Sequence, residues 1–364
     1  MIEQLHYTTT SRYNFPQTLE ELKLPKRFIE LSLRTMQNAR GKHFQPYSAE
    51  YSESFIESPQ FDEEPINLEG KVISEMLTTL KPIRDETTII GIDVSSIKIG
   101  ETETGILCAI RGAVVWNEKR HYKYLRLGPF PFHITEENKI GIFSLLGQYT
   151  SANFTAESLP LFETQNRLCN LIERWMQMNL SKLSHDSVIL WDGSLTAGTP
   201  GNPVSLVSQI LKYARDNLNS VLSFSKATTA RFLGRKITDL TSKHKPPCLF
   251  EVGGLPISIS KTSHLLGKIY VAKLSEGGCS FRLDIDRALP SEFRLMAVQK
   301  LLGNELLFQG YPETLRLAHI FSTFTANEIV GIQRFITQEY GLKIATCPSI
   351  RKTLFGPFGT GFGD

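Results

Sequence analysis

Between residues 88 and 128 the chain alternates apolar runs with short polar breaks: "TIIGID" at 88–93, "TGILCAIRGAVVW" at 104–116 and "RHYKYLRLG" at 120–128. These runs are rich in β-branched and aromatic residues and are separated by turn-sized gaps, which predicts three consecutive antiparallel strands. The period then changes. Leu161, Leu168, Leu171, Ile172 and Trp175 share one stripe at helical spacing, predicting a helix over residues 157–180. A buried strand follows in "SVILWD" at 187–192, then a helix over 204–218, a strand "SVLSFS" at 220–225 and a basic helix over 228–243. Farther on, "KIYVAKL" at 268–274 and "CSFRLDID" at 279–286 predict a hairpin turning over 275–278, and helices are expected over 291–301, 312–324 and 326–340.

Hairpins first and α/β crossovers after define an α/β protein with a mixed sheet flanked by helices. In that order the strand ending in Asp93 and the strand ending in Asp192 can lie side by side and parallel. Both acids then stand at the carboxyl ends of their strands, where open α/β sheets gather ligands.

The flanks read differently. Residues 1–85 form an N-terminal extension with a helix around 19–36, followed at 50–64 by six acidic residues and no basic one, a solvated linker. Residues 86–345 carry the α/β pattern together with a C-terminal helical part, and residues 346–364 end in the Gly/Phe-rich tail "FGPFGTGFGD".

Composition narrows the partners only slightly. The 364 residues carry 40 basic and 37 acidic side chains, a net charge of +3, so any nucleic-acid surface must come from local clustering. Cysteines at 108, 169, 248, 279 and 347 form no C-x-x-C pair, which disfavours a zinc site or a disulfide framework. No leader pattern and no apolar run of about eighteen residues is present, so the expected place is the cytoplasm, with no membrane partner.

Two carboxylates forced together repel unless a divalent cation lies between them. Oxygen ligands favour magnesium or manganese, and two such ions about 3.5–4 Å apart serve phosphodiester hydrolysis. A third acid is expected from the helix before Asp192, which offers Glu163 and Glu173. Glu173 flanks the apolar stripe whereas Glu163 points nearly opposite it, so Glu173 is the better placed. Lys226, closing the next strand in "SFSKATTAR", is positioned to neutralise a phosphate. Arg231, Arg235 and Lys236 would extend a basic face for a DNA backbone, against the plainer reading of a solvated helix. In "GYPETLRLAH", Tyr311 precedes a helix started by Pro312, and His319 two turns along could reach a metal or a phosphate, although a lone histidine is more often structural.

Taken together and in order, "GIDVSS" at Gly91, "LWDGSL" at Leu190, "SFSKATTAR" at Ser223, "IYVAKL" leading into "FRLDID", and "GYPETLRLAH" at Gly310 resemble the segments of NurA-type nucleases over residues 88–340. The resemblance implies a ribonuclease H-like core, also seen in Piwi domains, and degradation of DNA from its ends with manganese or magnesium. It implies Asp93 and Asp192 as the metal-binding aspartates, Glu173 as the helical glutamate, and Tyr311 and His319 as the late tyrosine and histidine. It also implies a homodimer served by a HerA-type hexameric ATPase in end resection, repair or defence. "GLPISISKTS" lacks the glycine that precedes the lysine of a phosphate-binding loop, so ATP would be used by the partner. Two departures stand out: Ile-Asp-Val-Ser replaces the usual Asp-Gly-Ser, and the long spacing from Asp93 to the helix points to an insertion around 128–158. The alternative function is a non-catalytic DNA-binding or translocase-docking subunit of the same fold.

Overall fold

A computed structural model describes residues 26–47, 67–68, 77–150, 160–199, 202–228, 230–232, 235–252 and 264–345. The acidic segment 50–64, "GLPISISKTS" and the Gly/Phe tail lie outside the described residues. Eleven strands share one sheet: β1 (His43–Pro46), β2 (Leu77–Thr79), β3 (Ile89–Thr102), β4 (Gly105–Glu118), β5 (His121–Thr135), β6 (Val188–Asp192), β7 (Ser220–Ser225), β8 (Cys248–Glu251), β9 (Gly267–Lys273), β10 (Ser280–Asp286) and β11 (Lys343–Ile344). The helices are α1 (Lys26–Gln37), α2 (Lys139–Thr150), α3 (Leu161–Leu183), α4 (Val204–Asp216), α5 (Ser291–Asn304), α6 (Glu313–Ser322) and α7 (Ala326–Tyr340).

The long antiparallel meander β3–β4–β5 forms one half of the sheet, and β6 pairs parallel to the opposite edge of β3, with β7 parallel beyond it. The order β5-β4-β3-β6-β7, with β4 alone antiparallel, is the ribonuclease H-like arrangement. An antiparallel run β10, β9, β8 and β2 continues outward from β7. Two pieces of the N-terminal 85 residues thus enter the sheet: β2 at one edge, and β1, which pairs with the far end of β3 and with β11.

Helices cover both faces, so the central strands are apolar on both sides, and β4 is buried from Gly105 to Asn117. On one face Ile90, Ile92, Ile189 and Trp191 pack with Leu168, Leu171 and Met176 of α3 and Leu206 and Ile210 of α4. On the other, Ile89, Val188, Leu190 and Phe224 meet Val298 and Leu301 of α5 and Leu315 of α6. The ends of α7 coincide with the sequence expectation because its caps are local. Thr325 and Glu328 form a capping box, and Gly341 closes the helix at φ 59°.

The basic helix expected over 228–243 is absent. Arg231–Phe232 instead pairs antiparallel with Arg235–Lys236, and a 3₁₀ turn spans Ile237–Thr241. Its threonines and Gly234 are poor helix formers, and Ala230 and Ile237 are buried against Phe250, Val252 and Val271. The helix expected to reach 218 stops at Asp216. The first and third predicted strands run on to Thr102 and Thr135, since the meander hydrogen-bonds along its whole length. Among the described residues no helix is long and apolar enough to cross a membrane.

Candidate active site

β3 and β6 pair only as far as Gly91 and Leu190, and the site lies where they part. Side chains alternate across a strand, so Asp93 falls on the face of Ile89 and Asp192 on the face of Val188 and Leu190, both towards α5 and α6. The two carriers then behave differently. After Asp192 the chain turns through Gly193 at φ +99°, a conformation that favours glycine, and its N–H donates to the Phe224 carbonyl at 2.8 Å. After Asp93 the strand stays extended, so the missing glycine of "IDVS" is of no consequence.

Helix α6 reaches the acids because it rests directly on β3. A Cβ at Gly91 would stand 2.9 Å from the Thr314 carbonyl oxygen. This close approach brings His319 Nδ1 to 3.2 Å from Asp93 Oδ2. Ser322, one helical turn later, donates its hydroxyl to the same oxygen, and its Oγ lies 2.9 Å from that of Ser95. Neither serine was singled out in the sequence, although the three-residue step from His319 to Ser322 was a usable signal.

Across the site Lys226 Nζ is 2.7 Å from Asp192 Oδ2 and 6.0 Å from the centre of the Tyr311 ring. That ring is buried against Phe281 and Phe224, and its hydroxyl finds no hydrogen-bond partner among the described residues. Glu173, on α3, accepts from Gln177 Nε2 at 2.8 Å. Arg231 and Arg235 lie in the short hairpin described above, away from any helical basic face.

The electrostatics are those of crowded acids. Burial pushes the Asp93 carboxyl up, but hydrogen bonds from His319 and Ser322, with the nearby cationic groups, hold it below its ordinary range. Asp192 is raised by burial and by Asp93, with Lys226 opposing. Glu173 is raised furthest, to about 7, by burial first; Arg174 opposes the shift, and Asp93 and Asp192 add to it. Tyr311 is pushed well above its usual value by burial and by the Asp192 and Asp93 charges.

One ligand atom each from Asp93, Asp192 and His319 lies within 4.8 Å of the others. Glu173 stands outside this trio, yet its charge is coupled to both aspartates. Two carboxylate oxygens and an imidazole are ligands that can hold a divalent cation. The buried, unpaired Tyr311 hydroxyl beside Asp192 is the kind of donor that a coordinated oxygen would satisfy, so the residues present fit a divalent cation.

The class is thereby defined: a ribonuclease H-like α/β fold with a carboxylate–histidine cluster where β3 and β6 part, at the carboxyl end of β6. No protein-family model matches the chain, and neither does any curated protein. Among solved structures, the NurA nuclease from Sulfolobus solfataricus aligns at 15% identity over 73% of this chain and 89% of its own, with a TM-score of 0.44. A second NurA structure aligns at 11% identity over 75% and 93%, with a TM-score of 0.41. Endonuclease V from Bacillus subtilis aligns at 9% identity over 73% and 89%, with a TM-score of 0.34.

Proposed function

We propose that this chain is a metal-dependent deoxyribonuclease that hydrolyses phosphodiesters at DNA ends. The observation that carries the proposal is the convergence of Asp93, Asp192 and His319 within 4.8 Å where β3 and β6 part. Asp93 and Asp192 hold manganese or magnesium, one ion or two, with His319 as a further ligand and Glu173 completing the acidic set. When bound, such cations supply an activated water and charge stabilisation at the leaving oxygen. Ser322 and Ser95 hold the Asp93 carboxylate in one orientation. Lys226 and the Tyr311 hydroxyl face Asp192 from the other side, where they neutralise and hydrogen-bond a scissile phosphate. Burial raises Glu173 to about 7 in the metal-free chain, and a bound cation would bring it back to the carboxylate.

The reading extends to a homodimer fed with DNA by a HerA-type hexameric ATPase, with Arg231 and Arg235 contacting the backbone. The deciding assay is degradation of end-labelled linear DNA with manganese, magnesium or EDTA, by the native chain and by Asp192→Ala. Metal-dependent cleavage lost in the variant supports the proposal. Full activity in a folded Asp192→Ala protein overturns the site, and no cleavage under any divalent ion, even with the ATPase and ATP, overturns the enzyme.

A further inference from the structure

Arg282 and Asp284 on β10 form an ion pair whose side chains are both 0% exposed. The pair is bidentate: Arg282 Nε donates to Asp284 Oδ1 and Nη2 to Oδ2, each at 2.8 Å. Buried pairs of this kind seldom add net stability over apolar residues of similar volume, so a reason for the pair has to be sought in what it holds. Asp284 Oδ2 also accepts the backbone N–H of Leu195 at 3.0 Å, and Leu195 closes "LWDGSL", three residues after Asp192.

The surroundings are built for that contact. In the ladder Arg282 lies opposite Ser225 and Asp284 opposite Ser223. The hydroxyls of those two serines donate to the Gly193 carbonyl at 3.0 Å from Ser223 and 2.8 Å from Ser225. The Leu195 carbonyl in turn accepts from Leu266 N–H at 2.9 Å. Gly267 leaves the room required, since a Cβ there would lie 2.8 Å from Asp284 Cβ and 2.9 Å from Leu195 Cβ. The turn behind Asp192 is thus seated on β7 and β10 by side chains outside the Asp93–Asp192–His319 trio.

We infer that Arg282 and Asp284 are positioning residues: the arginine orients the aspartate, the aspartate anchors Leu195, and the anchored turn holds Asp192 in place to bind its cation. The inference rests on the proposed metal site, but not on DNA being the substrate. It needs a test that separates a hydrogen bond from a charge pair and positioning from mere stability.

Two double variants do so. Arg282→Met with Asp284→Leu removes the pair and the acceptor, whereas Arg282→Met with Asp284→Asn removes the charges and keeps an oxygen for Leu195. Binding of Mn²⁺ alone, followed by its electron paramagnetic resonance, and hydrogen exchange over residues 193–197 are read beside the melting curve. The native segment is expected to exchange as slowly as β6. The Met/Leu protein should fold, exchange the segment faster and bind Mn²⁺ about 10-fold or more weakly, the range for a residue supporting a ligand. The Met/Asn protein should lose less than the roughly 10-fold that marks loss of a supporting residue. Native affinity in the Met/Leu protein, or loop-like exchange of 193–197 in the native chain, overturns the inference. Should either variant fail to fold, the native exchange rate decides. Normal Mn²⁺ binding with no DNA cleavage would count against the nuclease and leave the positioning role standing.

Discussion

Asp192 and Asp284 stand two strands apart in one sheet, and the contrast between them separates a partly exposed acid from a structural one. Asp284 is completely buried, gripped by both arms of Arg282 and by a backbone N–H. Its hydrogen-bonding capacity is used within the fold. Asp192 keeps about a quarter of its side chain exposed, shares one lysine, lies in one cluster with Asp93 and His319, and feels the charge of Glu173. Residue type is the same in both places; what differs is whether the protein completes the coordination or leaves it to a ligand.

That difference is best broken at Asp192 itself. Asp192→Ala should lower cleavage of linear DNA by more than about 100-fold, the upper end of losses from merely supporting residues, while the folded structure persists. Circular dichroism beside the cleavage assay checks both halves. If the acids await a cation, Mn²⁺ at about a hundred times its dissociation constant should stabilise the native chain by about 2.7 kcal/mol. The shift should vanish in Asp93→Asn, which calorimetry would show.

Glu173 sharpens the comparison through pH. Its folded value of about 7 lies above the ordinary 4.5, so between those values the folded state binds more protons than the unfolded one. Without metal, stability therefore falls as pH rises through that window, by roughly 2 kcal/mol after allowance for solvent. Glu173→Gln should remove the fall, and urea titrations at pH 5 and 8 would detect it. A native protein equally stable at both ends would refute the coupling. The smallest effect concerns the approach of α6. Gly91→Ala should force Thr314 back, costing about 1–2 kcal/mol, with reduced cleavage as His319 retreats from Asp93. An alanine variant of native stability and rate would show that the helix yields freely.

The position of Asp192 was legible because it depends on short-range pattern, whereas Asp93, expected to end its strand, lies within β3, which runs on to Thr102. An apolar run ended by an acid and a glycine, as in "LWDG", reads the same in isolation as in the fold. The third acid was only half legible. Helical phase separated Glu173 from Glu163, and the structure couples Glu173 to both aspartates while leaving it outside the close trio with His319. The basic helix over 228–243 failed for the opposite reason. Its charges suggested one face, but the burial of Ala230 and Ile237 against β8 and β9 is a long-range contact that no local period records.

By itself, the sequence determined the succession of the central strands, the limits of α7 through Thr325, Glu328 and Gly341, and the placing of Asp192 at a strand end. Each depends on residues within a few positions of one another, where backbone conformation and side-chain phase suffice. Only the tertiary structure decided that Ser322 holds Asp93 from 229 residues away, and that Asp284 anchors Leu195 from 89. It also brought β1 and β11 together beside β3. Those contacts arise from the packing of helix on sheet and strand on strand, which depends on the volume and reach of side chains distant in the chain.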